Sequence, residues 1–259
     1  MPATQTVVMQ NKTQGSTPVV LEPPTLVEPD YSAISRTMET WTPQQILTWA
    51  INEFSSKLAF STAFGVEGCA LMAMMAQIPG YDRAFLFNLE TGYQFEETMA
   101  LRETIMQKYD IDIQFVRAEE NVPEMEARFG GPIYDKNPDL CCHIRKVVPL
   151  TKALAGYDAW VSSIRRDQSP TRANAPIVHW DKKHNLVKIN PLANWTRKEV
   201  WSYVFKNEVP YNPLHDQGFT SIGCWPCTRA VEAGEDERAG RWANFTKKEC
   251  GIHVPNFQI

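Results

Sequence analysis

From residue 58 onward, short apolar segments alternate with longer helical ones, and this alternation restricts the fold more than any other feature of the chain. Leu58-Ala59-Phe60-Ser61-Thr62 has the composition of a short buried strand, and the stretch after Val66 is that of an apolar helix. Repeated strand–helix–strand order gives a parallel sheet with helices on both faces. We therefore predict an α/β fold with strands over residues 58–62, 83–89, 111–116 and 159–164 and helices over 66–78 and 94–109.

Capping and turn signals predict the elements around this alternation. Thr42-Pro43-Gln44-Gln45 combines a capping Thr, a Pro at the first helical position and a Gln three residues after the cap. Thr196 and Glu199 form a second capping box, which opens a helix through Phe205. Residues 177–180 and 186–189 flank a polar turn and resemble a β-hairpin.

The two ends of the chain differ from the part between them. Residues 1–31 are rich in Thr, Gln, Pro and Val without any helical or strand period, which predicts a disordered tail. The first 30 residues contain one basic residue, Lys12, and no apolar core of a secretory signal, so we expect a cytoplasmic protein. Residues 32–259 are predicted to form a single domain with a loop-rich, flexible C-terminal segment that carries Cys250.

Charge is distributed unevenly along the chain. Residues 1–140 hold 9 basic and 19 acidic residues, a net charge of −10, whereas residues 141–259 hold 17 and 11, a net charge of +6. The overall charge of −4 argues against a nucleic-acid partner, and the absence of any run near 18 apolar residues argues against a membrane span. The basic half suggests an anion site, and the number of chains in an assembly, including a homo-oligomer, stays open.

Six cysteines are too few for a disulfide scaffold in a chain of 259 residues and suggest metal or redox chemistry instead. Cys69 is alone on an apolar helix and is interpreted as an inert core thiol. The adjacent pair Cys141-Cys142 and the motif Cys224-Trp225-Pro226-Cys227 together supply four thiolates. Such a set suits an iron–sulfur cluster or zinc, and two adjacent ligands are accommodated more easily by a cluster than by one ion.

Cys250 lies in a different environment, Lys247-Lys248-Glu249-Cys250-Gly251-Ile252-His253, close to the end of the sequence. Basic side chains near a thiol favour its thiolate form, which is the nucleophilic form. The following glycine leaves the sulfur accessible. We predict that Cys250 is a nucleophile, with an incidental surface cysteine as the alternative.

Two segments have features of phosphate or sulfate sites. The loop after the first strand, residues 61–68, opens a helix whose backbone N–H groups can hold an anion. Arg165, Arg166 and Arg172 follow the fourth strand in a turn, where guanidinium groups suit planar recognition of phosphate or sulfate. Arg229, Arg238 and Arg241 lie where they could add to this site.

Four separated motifs, in this order, resemble the assimilatory adenosine 5′-phosphosulfate reductases and their 3′-phospho relatives over about residues 40–255. They are Cys141-Cys142-His143-Ile144-Arg145-Lys146, Arg165-Arg166-Asp167-Gln168-Ser169-Pro170, Gly223-Cys224-Trp225-Pro226-Cys227-Thr228 and Glu249-Cys250-Gly251-Ile252-His253. The resemblance implies a Rossmann-like parallel sheet of the adenine nucleotide alpha-hydrolase-like type. It implies a thioredoxin-dependent enzyme (glutaredoxin being the other donor) that converts adenosine 5′-phosphosulfate to sulfite and AMP.

The same resemblance assigns roles to residues of this chain. It implies a [4Fe–4S] cluster on Cys141, Cys142, Cys224 and Cys227, and an S-sulfocysteine intermediate on Cys250. Lys146 is expected between cluster and substrate, and Leu89 on the adenine side. The other substrate contacts expected are Ser61 and Thr62 near the phosphate and Arg172, Arg238, Arg241 and His253 at the phosphosulfate.

Two other functions compete with this interpretation. An ATP-pyrophosphatase of the same fold would carry a Ser-Gly-Gly-x-Asp-Ser loop, whereas this chain has Ser61-Thr62-Ala63-Phe64-Gly65 and an acidic Glu67. A metal-sensing regulator could use the four-cysteine site, but no DNA-reading motif or basic helix accompanies it. If the protein is a reductase, the alternative concerns its substrate: it would be a 3′-phosphoadenosine 5′-phosphosulfate reductase or a dual-substrate enzyme.

Overall fold

A six-stranded sheet forms the centre of the computed structural model, which describes residues 29–253. The strands lie in the order β3-β2-β1-β4-β6-β5, and every neighbouring pair is parallel except the antiparallel hairpin β5–β6. Their bounds are β1 Leu58–Thr62, β2 Phe85–Glu90, β3 Gln114–Arg117, β4 Ala159–Val161, β5 Val178–Asp181 and β6 Leu186–Ile189. The predicted α/β fold with a largely parallel sheet is confirmed, and so is the hairpin.

Eight α-helices accompany the sheet within the described part of the chain. They are α1 Ser32–Thr37, α2 Pro43–Phe54, α3 Val66–Met75, α4 Glu96–Tyr109, α5 Val122–Phe129, α6 Pro138–Cys142, α7 Val148–Leu154 and α8 Arg197–Lys206. The predicted capping boxes are present on α2 and α8, where Thr42 and Thr196 each accept a hydrogen bond from the third helical N–H. Asn121 and Glu124 cap α5 in the same way.

Hydrophobic packing covers both faces of the sheet. On one face, α2, α3 and α8 pack together with β1 and β6, and every residue of α3 is buried. On the other face, Leu150 and Leu154 of α7 pack against Phe87 and Trp160. Because α3 is enclosed on all sides, it has no polar face, which agrees with its predicted apolar character.

The segment between α6 and α7 departs from a regular helix. His143–Val147 forms a π-helical turn. Pro149, near the start of α7, has no N–H to donate to the carbonyl of Arg145, and its ring would clash with that carbonyl in an α-helix. The wider turn relieves this conflict, and π-turns often occur at functional sites.

Several predicted boundaries differ from the observed ones. The strand predicted from residue 83 starts at Phe85, because Tyr81–Arg83 forms a 3-10 turn. The strand predicted over 159–164 ends at Val161, and the following residues leave the sheet to line a cavity. The predicted tail, residues 1–31, lies outside the described residues except for 29–31. Within residues 29–253, no helix has both the length and the apolar character needed to cross a bilayer.

Candidate active site

A cavity of about 200 Å³ opens at the carboxyl ends of the parallel strands. Its walls include Thr62 at the end of β1, Leu89 near the end of β2 and Ser162 just after β4. The chain proceeds from β1 towards β3 in one direction and then crosses back to β4, so the topological switch point lies between β1 and β4. Open α/β sheets bind ligands at such a point.

The loop between β1 and α3 forms the floor of this cavity. Thr62 Oγ1 accepts a hydrogen bond from Phe64 N at 3.0 Å, which tightens the turn, and Gly65 caps α3. Gly65 and Val66 line the cavity, so the N-terminus of α3 faces it. The partial positive charge of a helix N-terminus favours an anion at this position.

Most of the predicted substrate-binding residues meet at this cavity. The structure places eight of them in its lining, together with the predicted nucleophile Cys250: Ser61, Thr62, Leu89, Lys146, Arg172, Arg238, Arg241 and His253. These residues come from β1, β2, the π-turn and three loops that are distant in sequence. The tertiary fold therefore brings the separate motifs together at one place.

Arg165 and Arg166 do not line the cavity, contrary to the substrate-binding role that the sequence suggested. Arg165 is fully buried, where its guanidinium contacts Glu67 at 2.9 Å, Glu237 at 2.9 Å and Asp167. A buried guanidinium needs such partners to offset its desolvation. Arg166 lies on another face and pairs with Glu39 at 2.6 Å. We therefore assign both arginines to the architecture that surrounds the site.

The segment that carries Cys250 is docked onto the cavity by ion pairs. Glu249 forms a bidentate pair with Arg172, with distances of 3.0 and 2.8 Å, and contacts Arg238 at 3.2 Å. Lys247 pairs with Asp139 of α6. The Glu249 carboxylate thus occupies the arginines that were predicted to bind a substrate anion, and it holds the neighbouring Cys250 inside the cavity.

A Glu249→Gln variant should expose Cys250. Loss of the charge-assisted hydrogen bonds, each worth about 1.5–3 kcal/mol, should release the segment. We expect alkylation of Cys250 by iodoacetamide, followed by mass spectrometry, to become at least about fivefold faster. The rate is to be compared on its plateau at high pH, where the thiolate fraction no longer limits it. Glu235→Gln, which breaks the exposed pair with Arg229, is the matched control and should leave the rate unchanged. Equal rates in all three proteins would contradict the docking role of Glu249.

His253 anchors the other side of Cys250 and is neutral. Burial lowers the pKa of its imidazole well below the ordinary value, and the nearby charges of Lys188, Arg172 and Arg238 add to this effect. His253 therefore does not supply the positive charge beside Cys250 that the sequence suggested. That charge comes from Lys146, Arg238 and Lys183, which all interact electrostatically with the Cys250 sulfur.

A second, smaller cavity lies beside the first and is lined by Cys141, Cys142, Cys224 and Cys227. The first two thiols belong to α6. Cys224 caps the 3-10 turn Trp225–Cys227, and Cys227 is the last residue of that turn. Lys146 and Cys224 line both cavities and so form their common wall. The role of Lys146 between a cluster and a substrate stays a prediction.

The four thiols differ in their electrostatic environment. Burial raises the pKa of Cys141 to about 12 and that of Cys142 to about 11. Burial also acts to raise the pKa of Cys224, but the Lys146 ammonium and a hydrogen bond with Thr91 hold it below its ordinary value. Burial would lower the pKa of Lys146, yet the sulfurs of Cys224, Cys142 and Cys250 raise it. The sulfurs around Lys146 therefore favour its charged form between the two cavities.

The thiol cavity fits the donor set of an iron–sulfur cluster. All four cysteines are free thiols that share one enclosed space, and soft thiolates are the ligands that such clusters require. Among residues 29–253, no group of three or more His, Cys, Asp or Glu side chains has the geometry to hold a metal ion. The fit therefore rests on the chemistry of the four thiols and on the space that they share.

Comparison with known proteins is consistent with this geometry. A family model described as the phosphoadenosine phosphosulfate reductase domain matches residues 57–230. The chain is 44% identical over 224 residues to a phosphoadenosine 5′-phosphosulfate reductase of Gloeobacter violaceus, covering 85% of this chain and 92% of the relative. It is 40% identical over 228 residues to an adenosine 5′-phosphosulfate reductase of Halalkalibacterium halodurans, covering 88% and 98%.

A solved structure is also similar. The phosphoadenylyl-sulfate reductase of Candida auris, in complex with phosphate, superposes with a TM-score of 0.67 at 28% sequence identity. The match covers 77% of this chain and 95% of that one. This likeness confirms the predicted fold class.

Proposed function

This chain belongs to the phosphoadenosine phosphosulfate reductase domain family, and we propose that it reduces adenosine 5′-phosphosulfate to sulfite and AMP in assimilatory sulfate reduction. One observation carries the proposal: Cys250 enters the same cavity as Lys146, Arg172, Arg238 and Arg241, at the switch point of the sheet. A nucleophilic thiol among cations is suited to attack an anionic sulfuryl group.

The reaction divides into two steps at Cys250. Its thiolate attacks the sulfate sulfur, an S–S bond forms, and the bond between sulfur and the bridging oxygen breaks with release of AMP. The two thiols of reduced thioredoxin, or glutaredoxin, then supply the two electrons that break the S–S bond of the S-sulfocysteine, and they form a disulfide with each other. The products are sulfite, the free Cys250 thiol and the oxidised disulfide of the donor. AMP is a good leaving group, so the chemistry requires no strong general acid.

Charge repulsion is the main barrier that the cavity has to offset. A thiolate and a substrate anion about 4 Å apart repel each other by roughly 4 kcal/mol for each pair of charges at an effective dielectric near 20. Arg172 and Arg238 are held in place beforehand by Glu249, and Lys146 is held by the thiol cavity. A substrate anion would share these arginines with the Glu249 carboxylate, so Cys250 stays docked while their positive charge offsets that of the anion.

The remaining lining residues have roles that follow from their positions. The N-terminus of α3 and the hydroxyls of Ser61 and Thr62 are suited to the nucleotide phosphate. Leu89, an apolar side chain near the carboxyl end of β2, is suited to the adenine. The neutral His253 can donate a hydrogen bond to a phosphosulfate oxygen but adds no charge.

Cys141, Cys142, Cys224 and Cys227 would hold the [4Fe–4S] cluster. When bound, the cluster supplies negative charge and sulfur acceptors beside Lys146, while the reducing electrons come from the dithiol donor. The four cysteines would then hold Lys146 in place on the common wall, beside the anion cavity. The proposed role of this arrangement is to position one cation for the sulfuryl group.

The proposed function is tested by incubating anaerobically purified protein with adenosine 5′-phosphosulfate and reduced thioredoxin. Stoichiometric sulfite and AMP are expected. Adenylation of an acceptor with release of pyrophosphate from ATP, without sulfite from the phosphosulfate, would instead favour an ATP-pyrophosphatase.

The non-phosphorylated nucleotide should be the better substrate. A 3′-phosphate adds about −1.5 to −2 charge and needs basic partners of its own. Arg165 and Arg166 belong to the same turn as Arg172 and would be the basic residues to bind a 3′-phosphate. Both are already paired with carboxylates outside the cavity. We expect kcat/KM to be at least about tenfold higher for adenosine 5′-phosphosulfate than for its 3′-phospho form. Equal values would identify a dual-substrate enzyme, and the reverse order would identify the 3′-phospho enzyme.

A further inference from the structure

A buried lysine lies directly behind His253. Lys188 occupies the centre of β6 and is 3% exposed. Its Nζ lies 3.1 Å from His253 Nδ1, 3.7 Å from Asp181 Oδ2 and 4.5 Å from the centre of the Trp160 ring. A buried lysine is costly unless its N–H groups have partners, and here one partner is the imidazole that faces the cavity.

We propose that Lys188 is a positioning residue that holds His253 in its Nε2-protonated tautomer and directs that N–H into the anion cavity. A lysine ammonium has three donors and no acceptor. The imidazole nitrogen beside it must therefore accept, which leaves the proton of a neutral imidazole on Nε2.

The strand register makes this arrangement rigid. Trp160 of β4 is the direct partner of Lys188 in β6, so both side chains project on the same face of the sheet. The His253 ring stacks on Trp160, with centres 5.5 Å apart and planes at 17°. Trp160 Nε1 in turn donates to Ser61 Oγ at 2.8 Å, which joins the phosphate loop to the same stack. Lys188 thus sets the tautomer, while Trp160 sets the plane of the ring.

The charges around the imidazole agree with a neutral ring. Lys188 on β6, Arg172 after β4, Arg238 in the C-terminal part and His184 in the hairpin turn all face it, and each acts to lower its pKa. Burial lowers the pKa of Lys188 itself to about 8, with Asp181 opposing the shift. At pH 7 or below, Lys188 is therefore mainly protonated and acts as a donor.

The consequence for catalysis rests on the proposed function. A neutral Nε2–H donates to an oxygen of the phosphosulfate, whereas the other tautomer would turn a lone pair towards the anion. A hydrogen bond to a charged group contributes about 1.5–3 kcal/mol, which corresponds to roughly 10- to 100-fold in rate. The tautomer itself does not depend on which reaction the protein catalyses.

The test uses ¹⁵N-histidine-labelled full-length protein at about pH 6.5 and compares two variants. Lys188→Met removes the donors at similar length, whereas Lys188→Arg retains donors without an acceptor. Comparison with His253→Gln assigns the His253 nitrogen signals. We expect the Nε2–H tautomer in the wild type and in Lys188→Arg, and a mixed or reversed tautomer in Lys188→Met.

Kinetics provide the second readout. Lys188→Met should lower kcat for sulfite release roughly 10- to 100-fold with KM changed less than about threefold, and Lys188→Arg should recover part of the rate. An Nδ1–H tautomer in the wild type would overturn the proposal even if no variant folds. An Nε2–H tautomer that persists unchanged in Lys188→Met would do so too, because Lys188 would then not set it. Absence of sulfite release from the wild type would refute the proposed function, while the tautomer would still be decided by NMR.

Discussion

A Cys250→Ser variant should release no measurable sulfite from adenosine 5′-phosphosulfate. A serine hydroxyl stays protonated at neutral pH and is a far weaker nucleophile than a thiolate, so we expect kcat to fall by roughly three orders of magnitude or more. Glu249 and His253, which dock the segment, are unchanged, so the cavity should keep its shape. AMP binding, measured by calorimetry, should stay within about threefold of the wild type, and iron content should not change.

The covalent intermediate provides an independent readout of the same assignment. Wild-type protein given the substrate without a reductant should gain one sulfo group, and peptide mapping should place it on Cys250. An adduct on Cys227, the other partly exposed thiol among the described residues, would contradict the assignment. The same would follow from a Cys250→Ser protein that still turns over.

A Cys224→Ser variant should lose iron, acid-labile sulfide and most activity together. Cys224 lines both cavities and interacts electrostatically with Lys146, so its loss removes a cluster ligand and disturbs the cation at the common wall. We expect iron below about a tenth of the wild-type content after anaerobic purification and at least a hundredfold fall in kcat/KM. Iron and sulfide assays with steady-state kinetics provide the measurement.

Cys69→Ala is the matched control for this experiment. Cys69 is fully buried in α3, and burial raises the pKa of its thiol. Its sulfur forms a hydrogen bond with the Phe64 carbonyl. The Cys69→Ala protein should keep the iron and lose only about 1 kcal/mol of stability. Stoichiometric zinc without iron in active wild-type protein would contradict the cluster, although Cys250 could still act as the nucleophile.

Sequence patterns predicted the elements whose signals are local. The capping residues Thr42 and Thr196 identify α2 and α8 because a cap acts within four residues. Asn121 and Glu124 carry the same signal for α5 and could have been recognised in the same way. The π-turn before Pro149 was not predicted, since its geometry depends on a conflict between a proline ring and a carbonyl four residues earlier.

The three arginines after β4 show that residue type alone does not predict which side chain reaches the cavity. Arg165, Arg166 and Arg172 lie in one short turn and looked equivalent in sequence. Carboxylates from distant segments, Glu67 and Glu39, pair with the first two, and only Arg172 reaches the cavity. Lys188 carried a recognisable signal, a lone charge inside the apolar strand Leu186–Ile189, but its partner lies 65 residues away.

The sequence by itself determined the α/β class, the grouping of the cysteines and Cys250 as the candidate nucleophile. These follow from periodicity, caps and side-chain chemistry, which act over a few residues or within one residue type. Only the tertiary structure decided which cations face Cys250, that Glu249 occupies the substrate arginines, and that His253 is neutral. Each of these properties depends on burial and on charges brought together from distant segments, because desolvation and Coulomb energies are set by three-dimensional distance and not by separation along the chain.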